Sequence, residues 1–167
     1  STYENTGKIN NIKMVNSYKQ YDKFNEPIFT PSTKAEVGDK DENISIKQMQ
    51  DIVGVDLTEK IQRISIELFK FAYDFAKERG VIIADTKFEF GLDKDNKLVL
   101  IDEIFTPDCS RFWLYKNNKI DYNSFDKQFF RDYLTSIKWN NNQIQLPEDI
   151  KHSLLEKYQV AYNLITT

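Results

Sequence analysis

The stretch VIIADTKFEFGLDKDNKLVLIDEIFTPDCSRFW, residues 81–113, decides the fold because it combines strand patterning with closely spaced charges. The segments VIIA, TKFEFGL and KLVLIDEI are typical of β-strands. DKDN lies between the last two and predicts a turn, so these two strands form a β-hairpin. Charged side chains that are candidates for a functional site lie along the strands and in the loop after them: Asp85, Lys87, Glu89, Asp102, Glu103, Asp108 and Arg111.

Two helices are predicted before the hairpin. Ser45 is followed three residues later by Gln48, which makes a capping box at the start of a short helix that Gly54 ends. Asp56 and Glu59 repeat this arrangement at the start of a long amphipathic helix. That helix extends to residue 80, where a glycine takes the left-handed conformation that ends it.

The rest of the chain is predicted to frame this core. Residues 1–44 form an extended lead-in and a proline-containing loop, and residues 45–113 form the helix and hairpin core. Residues 114–167 form C-terminal helices, the last with Pro147 near its first turn. The fold class is therefore α+β, a mixed or antiparallel sheet with flanking helices, in a single domain over residues 1–167.

Composition excludes several classes of protein. A net charge of −3 gives no broad positive field for nucleic acid, and no apolar run approaches the roughly 18 residues that a membrane helix needs. The single cysteine, Cys109, cannot form an internal disulfide, which favours a reduced, cytoplasmic setting. The chain begins with Ser1 and has no signal-like start, so it is expected to be part of a longer protein.

The hairpin register predicts a metal site. If the turn centres on Asp95 and Asn96, Glu89 lies directly across from Asp102, on the same face as Lys87. Two facing carboxylates repel each other unless a cation lies between them. Magnesium is bound by one or two carboxylates together with substrate phosphates, so this pair indicates a magnesium and phosphate site.

Ordinary structural roles compete with this interpretation. Lys87 and Glu89 are also what a solvated strand face presents, and Asp108 can bind backbone amides in a turn while Arg111 forms an ion pair. Cys109 is better explained as a small packing residue than as a nucleophile, because no histidine is placed to activate it. The one histidine, His152, falls on the polar side of the last helix.

A resemblance to a known family changes this balance. IADTKFEFG, residues 83–91, and LIDEIFTPDCSRFW, residues 100–113, resemble two signatures of phosphoribosylaminoimidazole-succinocarboxamide synthase, or SAICAR synthetase. EPIFTPSTKAEVGDKDENIS, residues 26–45, is similar to the fungal-type branch of that family. The resemblance extends over nearly the whole chain and implies the C-terminal part of the SAICAR synthetase fold.

The resemblance implies an ATP-dependent ligase that joins L-aspartate to carboxyaminoimidazole ribotide in purine biosynthesis, with magnesium required. It implies that Lys87, Glu89 and Asp102 act on ATP and in catalysis, with Glu89 and Asp102 as the metal ligands. Arg111 would hold a substrate anion, the ribotide phosphate, in a loop shaped by Asp108 and Ser110. The remaining implied substrate-binding residues are Lys34, Asp41, Asp108 and Ser110.

Two departures from the family pattern are visible. Cys109 occupies a position where the family more often has Ser, Gly or Ala, and the N-terminal nucleotide lobe is missing, so the isolated chain is expected to be inactive. Two other functions remain open: a noncatalytic interaction module derived from the same fold, and a different ATP-dependent enzyme that activates carboxylates.

Overall fold

The computed structural model describes residues 8–9, 12–14, 18–19, 21–34, 41–122, 125, 128–140 and 142–167. It divides into two compact units, Ser1–Lys70 and Phe71–Thr167, which are described separately. The boundary falls inside one continuous helix, and the single domain over residues 1–167 stays a prediction. No helix in the described ranges combines the length and apolar character needed to cross a membrane.

The first unit contains a short ribbon and two helices. Strands β1 (Lys8–Ile9) and β2 (Ile12–Lys13) pair antiparallel, in a region where only an extended lead-in was predicted. An isolated antiparallel bridge then joins Ser32 to Asn43. Helix α1 spans Ile46–Val53, and helix α2 begins at Val55 and continues to Glu78 in the second unit.

The capping box of α1 is confirmed. The backbone N–H of Gln48 donates to Ser45 Oγ at 3.2 Å, and the backbone N–H of Ser45 donates to Gln48 Oε1 at 2.8 Å. The second capping box, predicted at Asp56, is wrong, because α2 begins at Val55 and Asp56 therefore lies inside its first turn. Gly54 has φ +87° and joins the helices by itself, and its carbonyl accepts the Thr58 N–H at 3.2 Å.

The second unit is built on antiparallel strands, as predicted. Strands β3 (Val81–Thr86), β6 (Ser110–Lys116) and β7 (Lys119–Asp121) form a sheet in the order β3-β6-β7. Strands β4 (Glu89–Leu92) and β5 (Leu98–Ile101) form the predicted hairpin as a separate ribbon.

Helices complete the second unit. Helix α3 spans Gln128–Ser136, and helix α4 spans Glu148–Thr166 and packs against β3. The first three residues of β3, Val81, Ile82 and Ile83, are at most 5% exposed, so this strand is the centre of the core.

The sheet includes two strands that were not predicted, since residues 114–167 were assigned to helices. Strands β6 and β7 are joined by Asn117 and Asn118, which have φ angles of +52° and +58°. Two consecutive positive φ angles are the requirement of a tight hairpin turn, and asparagine tolerates them better than most residues. The Asn-Asn pair was the available sequence signal.

Candidate functional site

The hairpin register differs from the prediction by one residue. Glu89 pairs with Ile101 and Leu92 with Leu98, so Glu89 does not lie across from Asp102. The turn contains three residues between Asp93 and Lys97 instead of two. The Asp93 carboxylate accepts the N–H groups of Asp95 and Lys97 at 2.9 and 2.8 Å, which stabilises the longer turn.

The three residues predicted to act on ATP nevertheless lie at one end of the hairpin. Lys87 Nζ is 2.7 Å from Glu89 Oε1, and the Glu89 side chain is only 13% exposed. Asp102 is exposed and follows β5 directly, with φ +64°. The backbone N–H of Lys87 donates to the Cys109 carbonyl at 3.0 Å, which connects the hairpin to the loop before β6.

The donor set at this end suits magnesium in its chemistry. Glu89 and Asp102 offer the carboxylate oxygens that hard cations prefer. Among the residues that the structure describes, no group of three or more His, Cys, Asp or Glu side chains could hold a metal ion. A magnesium ion here would thus need further oxygens from substrate phosphates or water, which is its usual mode of binding.

A cleft of about 310 Å³ opens beside β6. It brings together three predicted substrate-binding residues, Asp108, Ser110 and Arg111, and adds Arg131 from α3. Its remaining lining residues are Asp85, Pro107, Cys109 and Phe125. Two guanidinium groups in one cleft make a site for an anion such as a phosphate, which arginine binds through paired N–H donors.

The loop before β6 is held by the hydroxyl group of Thr106. This oxygen accepts the backbone N–H groups of Asp108 and Cys109 at 3.3 and 3.2 Å, and it donates to the Glu103 carboxylate. Ser110 is buried, and its Oγ lies 2.8 Å from Thr86 Oγ1. The wall of the cleft is therefore ordered by local hydrogen bonds.

Cys109 is partly buried among these hydroxyl groups. Burial raises the pKa of its thiol, whereas hydrogen bonds with Thr106, Ser110 and Thr86 lower it, and the resulting pKa lies below the ordinary value. The Cys109 Sγ is 3.5 Å from both Thr106 Oγ1 and Ser110 Oγ. Packing against polar neighbours, rather than against apolar ones alone, thus defines its environment.

Arg111 forms an ion pair with Asp85, as the structural alternative in the sequence had suggested. Arg111 Nε donates to Asp85 Oδ1 at 2.8 Å, and Arg111 Nη2 donates to Asp85 Oδ2. Both side chains remain about half exposed, at 58% and 50%. The pair leaves Arg111 in the wall of the cleft, so an ion pair and an anion-binding role are compatible.

Lys34 and Asp41 are exposed residues of the first unit, on either side of residues 35–40, which the structure does not describe. No role was predicted for Asp85, Phe125 or Arg131. Arg131 could have been suspected as a basic residue on a predicted helix, but only the folded chain places it beside Arg111.

Comparison with known proteins identifies the family. The SAICAR synthetase family model matches residues 4–146. The chain belongs to the SAICAR synthetase family. It is 46% identical to the phosphoribosylaminoimidazole-succinocarboxamide synthase of Saccharomyces cerevisiae over 98% of this chain and 55% of that protein. It is 49% identical to the synthase of Desulfotalea psychrophila over 98% of this chain and 56% of that protein.

Solved SAICAR synthetase structures share the fold. The structure described as SAICAR-synthase from Saccharomyces cerevisiae complexed with SAICAR has a TM-score of 0.84 and 44% identity, covering 99% of this chain and 55% of that one. A SAICAR synthetase in complex with ADP has a TM-score of 0.61 and 28% identity, covering 86% and 52%. This chain thus spans about half the length of the family members it matches.

Proposed function

We propose that this chain supplies about half of an ATP-dependent ligase that joins L-aspartate to carboxyaminoimidazole ribotide and forms SAICAR in purine biosynthesis. The observation that carries the proposal is the cleft lined by Arg111 and Arg131, in a chain of the SAICAR synthetase family whose hairpin end holds the Lys87 and Glu89 pair. The remaining length found in its relatives would complete the nucleotide site. The lone cysteine suits a reducing, cytoplasmic setting.

The cleft is proposed to bind the phosphate of the ribotide. Arg111 and Arg131 would donate to its oxygens, and the ordered loop would present Asp108 and Ser110 to the neighbouring part of the ligand. Guanidinium groups are not deprotonated in proteins, so phosphate binding should depend on the ionisation of the ligand.

The end of the hairpin is proposed to serve the ATP phosphates. Magnesium, held by Glu89 and Asp102, would neutralise phosphate charge when it is bound. Lys87 would add a point charge beside them, and its 2.7 Å contact with Glu89 keeps the ammonium group at this end of the hairpin. These groups would position the nucleotide and stabilise negative charge as the phosphoryl group is transferred.

The proposed reaction requires the terminal phosphate of ATP to lie close to the ribotide carboxylate. A free carboxylate is a poor electrophile, so the ribotide carboxylate would first accept the terminal phosphoryl group of ATP and release ADP. The aspartate amine would then attack the acyl phosphate, form the amide bond and release inorganic phosphate. Lys34 and Asp41 are proposed to approach the imidazole carboxylate and the incoming aspartate.

ADP release and calorimetry test this proposal. A longer polypeptide that contains this chain and matches the full length of its relatives should release ADP only when both the ribotide and aspartate are present. The 167-residue chain by itself should not, and it should bind magnesium-ATP much more weakly than the longer polypeptide.

Three results would contradict the proposal in different ways. Binding of magnesium-ATP by neither polypeptide would favour a noncatalytic module. ADP release with another acceptor acid, in the absence of the ribotide, would favour a different carboxylate-activating enzyme. Full turnover by the 167-residue chain would show that the nucleotide site is complete without further sequence.

A further inference from the structure

An irregularity in β3 sets the partner of Arg111. Ile83 pairs with Phe112, and the next pair toward the cleft is Asp85 with Arg111, so Ala84 is an extra residue on β3. In an unbroken ladder Ala84 would lie opposite Arg111. Bulges of this kind redirect side chains and occur often beside functional sites.

The shifted register joins Asp85 and Arg111 through two hydrogen bonds. The carboxylate accepts from Nε at 2.8 Å and from Nη2, which is the bidentate arrangement that fits a planar guanidinium group. Long side chains such as arginine have many rotamers, and ordering one of them during ligand binding reduces affinity. A guanidinium already held by a carboxylate has less freedom left to lose.

We infer that Asp85 is a positioning residue that orients the Arg111 guanidinium for an anionic substrate group, and that the bulge at Ala84 exists to bring Asp85 opposite Arg111. The identity of the ligand rests on the proposed function. The ion pair between Asp85 and Arg111 is observed whatever that function is. Asp85 is not a catalytic residue, because it acts through Arg111.

An opposite effect competes with this role. Asp85 carries a negative charge into the wall of the cleft, where Asp108 already provides another, and these two offset the charges of Arg111 and Arg131. Removing the Asp85 charge makes the cleft more positive, which by itself favours anions. Both members of the pair are about half exposed, so solvent and salt weaken this long-range contribution. Orientation of the guanidinium should therefore dominate.

Steady-state kinetics of the complete enzyme test the inference with Asp85→Asn. We expect the KM for carboxyaminoimidazole ribotide to rise about tenfold, as a lost charge-assisted contact predicts, while kcat and the KM for ATP stay within about twofold. Asp85→Glu keeps the charge and should recover part of the affinity. Asp74→Asn removes the same charge from an exposed position on α2 and should leave all three constants unchanged.

Direct binding of inorganic phosphate separates this inference from the proposed function. If the wild-type enzyme fails to turn over the ribotide, the proposed function fails, yet weaker phosphate binding by Asp85→Asn still supports positioning. Equal or tighter binding of the ribotide or phosphate by Asp85→Asn would overturn the inference. A structural role would instead raise both KM values and lower kcat to a similar extent, with a lowered melting temperature in both Asp85 variants. That result would also overturn the inference.

Discussion

Arg111 and Arg131 are two basic residues that line the same cleft and are proposed to bind one anion together. Arg111 lies on β6, opposite Asp85, and Arg131 lies on α3. Neither residue is buried, so each keeps contact with solvent. Binding at such a site depends on the number of donors that reach one anion together, because a single exposed ion pair contributes at most about 1 kcal/mol.

Replacement of Arg111 tests its share of this binding. Arg111→Ala in the complete enzyme should raise the KM for the ribotide by about tenfold or more, because its proposed charge-assisted contact with the phosphate is lost, and should change the KM for ATP little. Arg63→Ala is a matched control, since Arg63 is an exposed arginine on α2 that pairs with Glu67. An unchanged KM for the ribotide would assign Arg111 to structure only.

The carboxylates at the hairpin end should affect turnover more than stability. Glu89→Gln and Asp102→Asn in the complete enzyme should each lower kcat about a hundredfold or more, because each removes a charge proposed to act near the transferring phosphoryl group. The melting temperature should change little, since Asp102 is exposed and Glu89 pairs with a half-exposed Lys87. Activity close to that of the wild type in either variant would contradict a metal-binding role.

Cys109 provides a single reporter in the cleft because the chain has no other cysteine. Its pKa is lowered by hydrogen bonds that outweigh burial, so the reactive thiolate should form at lower pH than in an ordinary thiol, whose pKa is about 8.5. The rate of alkylation by iodoacetamide should rise with pH through a midpoint below that of a free cysteine peptide in the same buffer. Thr106→Val removes a hydrogen-bond donor and should raise the midpoint, whereas a wild-type midpoint at or above that of the peptide would contradict this account.

At the scale of the element, the predicted and observed registers of the β4–β5 hairpin differ by one residue. A two-residue turn would have placed Glu89 across from Asp102, but the Asp93 carboxylate stabilises a turn of three residues. Asn96 completes that turn with φ +58°. The facing pair of carboxylates is therefore wrong, and the metal site stays a prediction that rests only on Glu89 and Asp102 lying at the same end of the ribbon.

The connection between α2 and β3 depends on Gly80. It has φ +78°, and a Cβ atom there would lie 3.1 Å from the Tyr115 carbonyl oxygen. Gly80→Ala should therefore lower the free energy of unfolding by roughly 1–3 kcal/mol, from backbone strain together with the close approach. Urea denaturation measures this loss. Gly91→Ala is the control with a small expected effect, because its Cβ would make an ordinary 3.5 Å contact with Ile101.

At the scale of the whole molecule, the chain carries the proposed ribotide cleft but spans only about half the length of its relatives. All residues that line the cleft belong to the second unit, Phe71–Thr167. The cleft and the nucleotide site can therefore be tested separately. Phosphate binding is proposed to need only the 167-residue chain, whereas turnover is proposed to need the longer polypeptide.

Phosphate should stabilise the isolated chain by linkage. A ligand that binds only the folded state adds about 2.7 kcal/mol to the free energy of unfolding at 100 times its Kd. Thermal unfolding in increasing inorganic phosphate should show a rise in Tm that is lost in a variant with both Arg111→Ala and Arg131→Ala. The variant with Arg63→Ala should keep the rise, and an equal rise in all three proteins would indicate a nonspecific salt effect.

Local patterns in the sequence were sufficient for most of the elements. Some features depend only on neighbours within a few residues, so their signals are visible in the chain itself: the Ser45 capping box, the stop of α2 just before Gly80 and the β4–β5 hairpin. The signatures at residues 83–91 and 100–113 likewise pointed to the family before any contact was known. The turn at Asn117 and Asn118 is equally local, because it depends on two consecutive asparagines with positive φ.

Contacts between distant residues decided the rest. Asp85 and Arg111 are 26 positions apart, and their pairing depends on where one extra residue falls in the ladder between β3 and β6. Arg131 reaches the same cleft from a helix, which periodicity within that helix cannot reveal. The sequence determined the elements and the family because these follow from short-range preferences. Only the tertiary structure decided the register and the cleft, because both arise from packing between segments far apart in the chain.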